Sequence, residues 1–183
     1  VLENTGCDPI TKNGVQIDGH SVYIAVYGGE DADIAETIYN KKDCGCGTTG
    51  NTQLSYQPVE EDTAAIYYYN ITRPTPVSLG FKVTIRQTLN TPGDYEELIK
   101  EAIVNNLNGV TPSGNYGRVK MASTLYASRF YDAVVDAGIQ DLVSIEMRYP
   151  ETSSEYVTVI DVPADEIPIT EEDYVDVVLM EED

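Results

Sequence analysis

The chain has 183 residues, of which 42% are hydrophobic and 9% aromatic, too apolar a composition for a disordered protein. Its 31 Asp and Glu residues against 11 Lys and Arg give a formal net charge of −20, which excludes nucleic acids and anionic lipid surfaces as partners because both would repel it. No apolar run approaches the roughly 20 residues that span a bilayer, so we expect no membrane segment.

The first part of the chain predicts a small domain with strands on either side of one short helix. The predicted elements are a strand over 21–27, a break at Gly28-Gly29, a helix through about Asn40, a glycine-rich loop over 43–51, and strands over 53–57 and 64–71. Either Asp31 or Asp33 can cap the helix, because both precede its first apolar residues.

The segment Arg73-Pro74-Thr75-Pro76 predicts a joint between two domains, residues 1–72 and 73–183, because two prolines in three residues keep the chain extended. The elements predicted after it are an alternating strand over 77–86, helices over 94–108 and 123–137, and strands over 142–148, 156–161 and 174–180. Strands and helices in separate clusters predict an α+β fold: two small mixed domains whose antiparallel-rich sheets pack with short helices.

Three helix ends in the second domain carry specific signals. Asp94 with Glu97 three residues later has the spacing of a capping box, and Gly109 fits the position just beyond the C-terminus of the same helix. In the second helix, Tyr126, Phe130, Val134 and Ala137 are predicted to share one face, and Gly138 to end it.

Cysteine and histidine offer the only candidate metal ligands of note. Cys44-Gly45-Cys46 forms a C-x-C pair, with Cys7 and His20 as further candidates. Structural zinc sites use C-x₂₋₄-C spacing and a second ligand pair, so this pattern favours a loop of small residues over a metal site. His20, the only histidine, has no recognisable nucleophile motif to serve, which favours a solvent-facing side chain.

The remaining candidate motifs are incomplete. Gly28-Gly29 lies between a strand and a helix, as a phosphate-binding loop does, but Glu30, Asp31 and Asp33 would repel phosphate. Asp31-Ala32-Asp33 lacks the rest of a calcium loop, and Asn70-Ile71-Thr72 is a glycosylation sequon without a secretion signal. We therefore predict a non-enzymatic protein with no catalytic, cofactor-binding or metal-binding residues.

Several segments, taken in order, resemble the baseplate J-like proteins of contractile phage tails. Within residues 22–51 these are a strand, Gly-Gly, the helix "DIAETIYNKK" and the loop "GTTGNT". They are followed by "YNITRPTPVSLGFKVTI" and by "EELIKEAIVNNLNG", which is similar to the helix that comes next in that family. The resemblance extends from about Asp18 to Met147 and stops short of the acidic end.

The resemblance implies a structural component of a phage or prophage baseplate, assembled in the bacterial cytoplasm and located in the virion. Its expected partners are copies of itself and other baseplate proteins that join into a ring. Residues 151–183 contain 12 carboxylates and no Lys or Arg, which indicates either a solvated, solubilising surface or a face that contacts a basic protein partner. The alternatives are a tail-associated carbohydrate-active or peptidoglycan-cleaving domain and a receptor-binding tail module. Because the first residue is Val1 and not Met, we expect the chain to be excised from a longer protein or processed.

Overall fold

The computed structural model describes residues 1–43, 45–58, 65–110 and 117–180. These residues form three α-helices and 14 strands in several small sheets, which confirms the predicted α+β fold class. The chain divides into two compact units, Val1–Thr75 with Pro163–Asp165 and Pro76–Val162 with Glu166–Asp183. The sequence prediction put the boundary between residues 72 and 73 and assigned residues 163–165 to the second domain.

The first unit consists of short strands and one helix. Its elements are β1 (Leu2–Asn4), β2 (Ile10–Lys12), β3 (Val15–Ile17), β4 (Ser21–Tyr23), α1 (Asp31–Lys41), β5 (Gly47–Thr49), β6 (Thr52–Tyr56) and β7 (Tyr67–Ile71). The sheet of β1, β4 and β5 has β4 at its centre, antiparallel to β1 and parallel to β5. The pairs β2–β3 and β6–β7 are antiparallel hairpins.

One strand and one loop of the first unit differ from the prediction. The strand predicted over 21–27 is regular only to Tyr23, because its pairing with both β1 and β5 ends at that residue. The chain continues to Ala25, which forms a single parallel bridge with Thr72. The loop predicted over 43–51 contains β5, because Gly47–Thr49 find backbone partners in β4 that a local pattern does not reveal.

Helix α1 packs its apolar face on the β6–β7 hairpin. The N-cap residue is Glu30, and neither Asp31 nor Asp33 caps the helix; both lie in its first turn, where negative charge stabilises the helix N-terminus. The buried cluster around α1 comprises Ala35, Ile38, Leu54, Tyr69 and Ile71, and Val15, Ile17 and Tyr23 are buried elsewhere in this unit. The alternation along β6 and β7 places Leu54 opposite Tyr69, facing the helix.

The second unit is built around a three-stranded sheet. Its elements are β8 (Thr75–Ser78), β9 (Gly80–Arg86), α2 (Tyr95–Asn108), β10 (Ser123–Tyr126), a 3₁₀ helix (Ala127–Phe130), α3 (Tyr131–Asp136), β11 (Leu142–Arg148), β12 (Val159–Val162), β13 (Glu166–Ile169), a second 3₁₀ helix (Glu172–Tyr174) and β14 (Val175–Met180). The sheet order is β11-β9-β14, with β9 antiparallel to β11 and parallel to β14. β10 pairs with β12, and β13 with β8.

The core of the second unit follows the predicted periodicities. Phe81, Val83 and Ile85 on β9 are fully buried, as the period-two pattern requires. The apolar stripe of α2 faces them, with Ile99 and Ile103 completely buried. Burying each of these side chains stabilises the fold by about 1.5–3 kcal/mol before entropy is counted. The strand predicted over 77–86 is divided at Leu79, whose N–H donates to the Ile169 carbonyl oxygen of β13, the partner of β8. From Gly80 onward the chain pairs with β11 and β14 instead.

The second predicted helix is wrong over its first third. Ser123–Tyr126 forms β10, which pairs antiparallel with β12, and only Tyr131–Asp136 is α-helical. Tyr126 is consequently 55% exposed, whereas Phe130 and Val134 are fully buried as predicted. Thr124 and Tyr126 have high strand propensity, and they form a strand here because β12, far away in the sequence, supplies the pairing partner.

The caps of α2 were only half predicted. Asp94 is the N-cap residue, but its side chain makes no capping hydrogen bond, so the predicted capping box is not formed. Gly109 ends the helix in the left-handed conformation at φ 76°, as predicted, and its N–H donates to the carbonyl oxygens of Asn105 and Asn106.

Candidate interaction surfaces

The structure brings together two of the four candidate metal ligands. The Cys7 Sγ lies 3.4 Å from the His20 Nε2 on the exposed surface of the first unit. The Cys46 thiol is directed at the Asp43 carbonyl oxygen, 3.7 Å away, and Cys44 lies outside the described residues. Within the described part of the chain, no three His, Cys, Asp or Glu side chains converge as metal ligands would.

Asn4 organises the loop that holds Cys7, a role that sequence reasoning missed. Its carboxamide nitrogen donates to the carbonyl oxygens of Asp8, Ile17 and Asp18 at 2.9, 3.1 and 3.0 Å, and its oxygen accepts the Gly6 N–H. The Asn4 side chain is 5% exposed, so it satisfies these backbone groups away from water. A lone Asn in a three-residue strand carries no sequence signal for this role.

Arg73 binds the Gly28-Gly29 turn, which does not have the arrangement of a phosphate-binding loop. The Arg73 guanidinium donates to the carbonyl oxygens of Gly28 and Gly29, at 2.5 and 3.1 Å, and to the Asp31 carboxylate. The turn therefore presents carbonyl oxygens to a cation, the reverse of the N–H cradle that binds phosphate. The sequence placed Arg73 in the joint between domains and gave no reason to connect it with a turn 45 residues earlier.

The glycosylation sequon is part of a sheet. The Asn70 N–H donates to the Thr48 Oγ1 at 2.7 Å, and its carboxamide nitrogen lies 3.4 Å from the Thr48 carbonyl oxygen. Thr72 is 4% exposed. These contacts account for the sequence Asn-Ile-Thr by structure alone.

Three tyrosine rings form a cluster on the first unit, which we call the tyrosine patch: Tyr39 and Tyr67, which are exposed, and Tyr56, which is partly buried. The Tyr39 ring centroid lies 5.0 Å from each of the other two, in tilted contacts that stabilise aromatic pairs. Tyr39 is 36% and Tyr67 is 41% exposed. Tyr69 lies behind them, and burial, followed by the nearby Tyr39 and Tyr67, raises its pKa. Exposed tyrosine of this kind is enriched at protein interfaces.

An apolar groove of about 510 Å³ runs between α1 and the chain from Val22 to Val26 in the same unit. Val22, Ile24 and Val26 form one wall, and the helix contributes Ile34 and Ile38. Charged side chains complete the lining: Glu30, Asp33, Lys41, Lys42 and Asp43. A mainly apolar groove suits the burial of a partner's apolar side chain.

A polar cluster covers one face of the three-stranded sheet in the second unit. The Tyr156 hydroxyl donates to the Asp176 carboxylate at 2.9 Å, and its ring lies beneath the Arg148 guanidinium, 4.8 Å from ring centroid to Cζ. Burial, and then the Asp176 hydrogen bond, raise the pKa of Tyr156. Lys82 pairs with Glu146 at 3.1 Å beside it. Lys82 and Glu146 pair within the sheet, whereas Arg148 and Asp176 both contact Tyr156, so these contacts are structural.

No helix among the residues that the structure describes is long and apolar enough to cross a membrane. No protein-family model matches the sequence, and no curated protein is significantly similar to it.

Proposed function

We propose that this chain is a non-enzymatic structural module of a phage or prophage contractile-tail baseplate. The observation that carries the proposal is the order of its segments: strand, Gly-Gly turn, acidic helix, glycine-rich loop, Arg-Pro-Thr-Pro, alternating strand and a helix that ends in Asn-Gly. That order resembles the baseplate J-like family. Its partners are copies of itself and other baseplate proteins.

The tyrosine patch supports an assembly role independently of that resemblance. Tyrosine buries a large apolar ring while keeping its hydroxyl available, and it loses little conformational entropy on binding. In a symmetric ring the same contact recurs at each subunit, so individually weak interfaces add up to a stable assembly. A module of this kind transmits displacement between neighbours and needs no catalytic group.

Electron microscopy of tail particles tests the proposal. The full-length protein carrying an epitope tag is expressed with its neighbouring genes, and gold-labelled antibody is expected at the baseplate of each particle. The variant Tyr39→Ser with Tyr67→Ser should lower incorporation at least about tenfold, since the loss of about 1.4 kcal/mol of interface free energy already has that effect. The matched control is Tyr126→Ser, which removes a 55% exposed tyrosine from the other unit. Particles without label contradict the proposal.

The alternative of a cell-wall-cleaving domain has its own measurement. A zymogram on peptidoglycan is expected to show no lysis band for the purified chain. A band that a single Asp or Glu substitution abolishes would replace the baseplate proposal by an enzymatic function.

A further inference from the structure

Strand β14 lies at the end of the main sheet of the second unit. It pairs with β9 over its whole length, from Val175 opposite Phe81 to Met180 opposite Arg86. Among the described residues, no other strand pairs with its outer side. Every second residue of such an edge directs its N–H and C=O outward, so β14 presents a row of backbone groups to which another strand can bind.

The outer edge of β14 lacks most of the features that usually prevent strand addition, and Asp176 is its only charged residue. Natural edge strands are protected by proline, lysine, bulges or extreme shortness, but β14 is six residues long, contains neither Pro nor Lys and keeps an unbroken register. Val178, Leu179 and Met180 are 39%, 37% and 44% exposed. This is a strand whose form suits an added partner.

The opposite edge of the same sheet provides an internal comparison. Strand β11 has a register irregularity between Leu142 and Ser144, and its Met147 exchanges two backbone hydrogen bonds with Val157, at 2.7 and 2.8 Å. Both features obstruct the approach of a further strand. The sheet is therefore protected on the β11 side and open on the β14 side.

The charge around β14 selects the kind of partner. Glu171, Glu172 and Asp173 directly precede the strand and Asp176 lies within it, whereas the whole stretch 151–183 contains no cation. Of the cations on neighbouring elements, Lys100 pairs with Glu96 at 2.8 Å, Lys82 with Glu146, and Arg148 lies over the Tyr156 ring. Arg86 stands opposite Met180, at the other end of β14 from Glu171, Glu172 and Asp173. A second copy of the chain would bring the same negative charge to this edge, so a basic segment is favoured over a copy.

We propose that β14 binds, by strand addition, an extended segment of a partner protein in which Lys or Arg alternates with apolar residues. Backbone hydrogen bonds to β14 would supply affinity, and the four carboxylates would select the basic sequence. That the partner is a neighbouring baseplate protein rests on the proposed function; the pairing itself does not.

The test uses the unaltered chain and three synthetic six-residue peptides: alternating lysine and valine, alternating glutamate and valine, and the lysine–valine peptide methylated on every backbone nitrogen. Amide chemical shifts of the chain are followed by NMR during titration. We expect the lysine–valine peptide to shift the amides of 176–180 and to bind at least about tenfold more tightly than the glutamate–valine peptide. The methylated peptide carries the same charge but its backbone cannot donate hydrogen bonds, so it should lose the shifts at these residues.

Two substitutions locate the binding on one edge. Val178→Lys places on β14 the residue that natural edges use for protection, and it should weaken binding of the lysine–valine peptide about tenfold or more. Val143→Lys makes the same change at a 46% exposed residue of β11 and should leave binding unchanged. If Val178→Lys fails to fold, the comparison between free and methylated peptides still decides.

Each outcome separates this inference from the proposed function. Equal binding of the free and methylated lysine–valine peptides overturns strand addition, even if the full-length protein is found in tail particles. Peptide binding at β14 with no label in tail particles upholds strand addition and contradicts the baseplate assignment. Dimerisation of the chain accompanied by shifts in 176–180 overturns the choice of a basic partner, because the edge would then bind a second copy.

Discussion

Tyr149, immediately after β11, shows how a single buried polar group can cost stability. Its hydroxyl is buried and has no hydrogen-bond partner among the described residues. Burial, with a smaller contribution from the Glu166 carboxylate, raises the pKa of Tyr149 to about 12. The cost in stability and the raised pKa have one cause. Folding removes water from the phenol without supplying a hydrogen-bond partner, and a negative charge on it would be less favourable still.

We expect Tyr149→Phe to raise the free energy of unfolding at neutral pH by up to about 1 kcal/mol, since it removes an unsatisfied hydroxyl without creating a cavity. The folded-state pKa of Tyr149 lies above the unfolded value of 10.0, so above pH 10 ionisation of this phenol favours the unfolded chain. The free energy of unfolding is therefore unaffected by this titration below pH 10 and falls as the pH rises to about 12. The variant should therefore lose less stability over that window.

Urea denaturation of both proteins at pH 7 and across the alkaline window measures the two effects. Tyr68→Phe, at a 60% exposed ring, serves as the matched control. It should change neither the free energy of unfolding at pH 7 nor the stability lost across the alkaline window. A variant less stable than the parent at pH 7 would show that the Tyr149 hydroxyl has a partner that stabilises it.

At the scale of elements, the C-terminus of α2 is held from two sides. Gly109 adopts φ 76°, and a Cβ atom there would lie 2.3 Å from the Arg118 backbone nitrogen. Arg129 donates from its Nε to the Asn106 Oδ1 at 2.9 Å and from its Nη2 to the Asn106 carbonyl oxygen at 3.0 Å. The helix end thus depends on a residue without a side chain and on a guanidinium 23 residues away.

Gly109→Ala is expected to lower the free energy of unfolding by at least about 2 kcal/mol, because it adds a steric contact to a left-handed backbone. Gly93→Ala is the matched control: a Cβ there meets nothing within 4 Å, and the change should stay within about 0.5 kcal/mol. Thermal or urea unfolding compares the two. Equal effects at both positions would mean that the αL conformation of Gly109 is not required.

At the scale of the whole molecule, the two units have cores of very different size. The cluster of buried apolar side chains in the second unit contains 18 residues, among them Phe81 and Phe130 with ring centroids 4.8 Å apart. Among the residues that the structure describes, the corresponding cluster around α1 contains five, and Val15, Ile17 and Tyr23 are buried elsewhere in the first unit. Because stability scales with apolar burial, local opening of the first unit should require less free energy than opening of the second.

Hydrogen exchange at single amides measures this difference. The amides of Val83 and Ile85 on β9 should exchange at least about tenfold more slowly than those of Tyr69 and Ile71 on β7, after correction for intrinsic rates. Equal protection in the two strands would show that the units open together. Faster exchange on β9 would contradict the argument from core size.

Local periodicity is what the sequence determined by itself. The alternation Phe81, Val83, Ile85 and the stripe of α2 are visible without any partner, because side-chain direction in a strand or helix follows from backbone geometry alone. Gly109 as the end of α2 was predictable for the same reason, since few residues besides glycine adopt the left-handed backbone easily. The concentration of carboxylates after residue 150 was also visible.

Only the tertiary structure decided which distant segments pair. Residues 123–126 form a strand because β12, more than 30 residues later, supplies its hydrogen bonds. Arg73 likewise donates to a carbonyl oxygen of a turn 45 residues earlier in the chain. The same holds for β14: its composition is that of an ordinary strand, and its place at the open edge follows from the order β11-β9-β14. Backbone hydrogen bonding makes a strand, but its neighbours come from elsewhere in the chain, and local pattern carries no record of them.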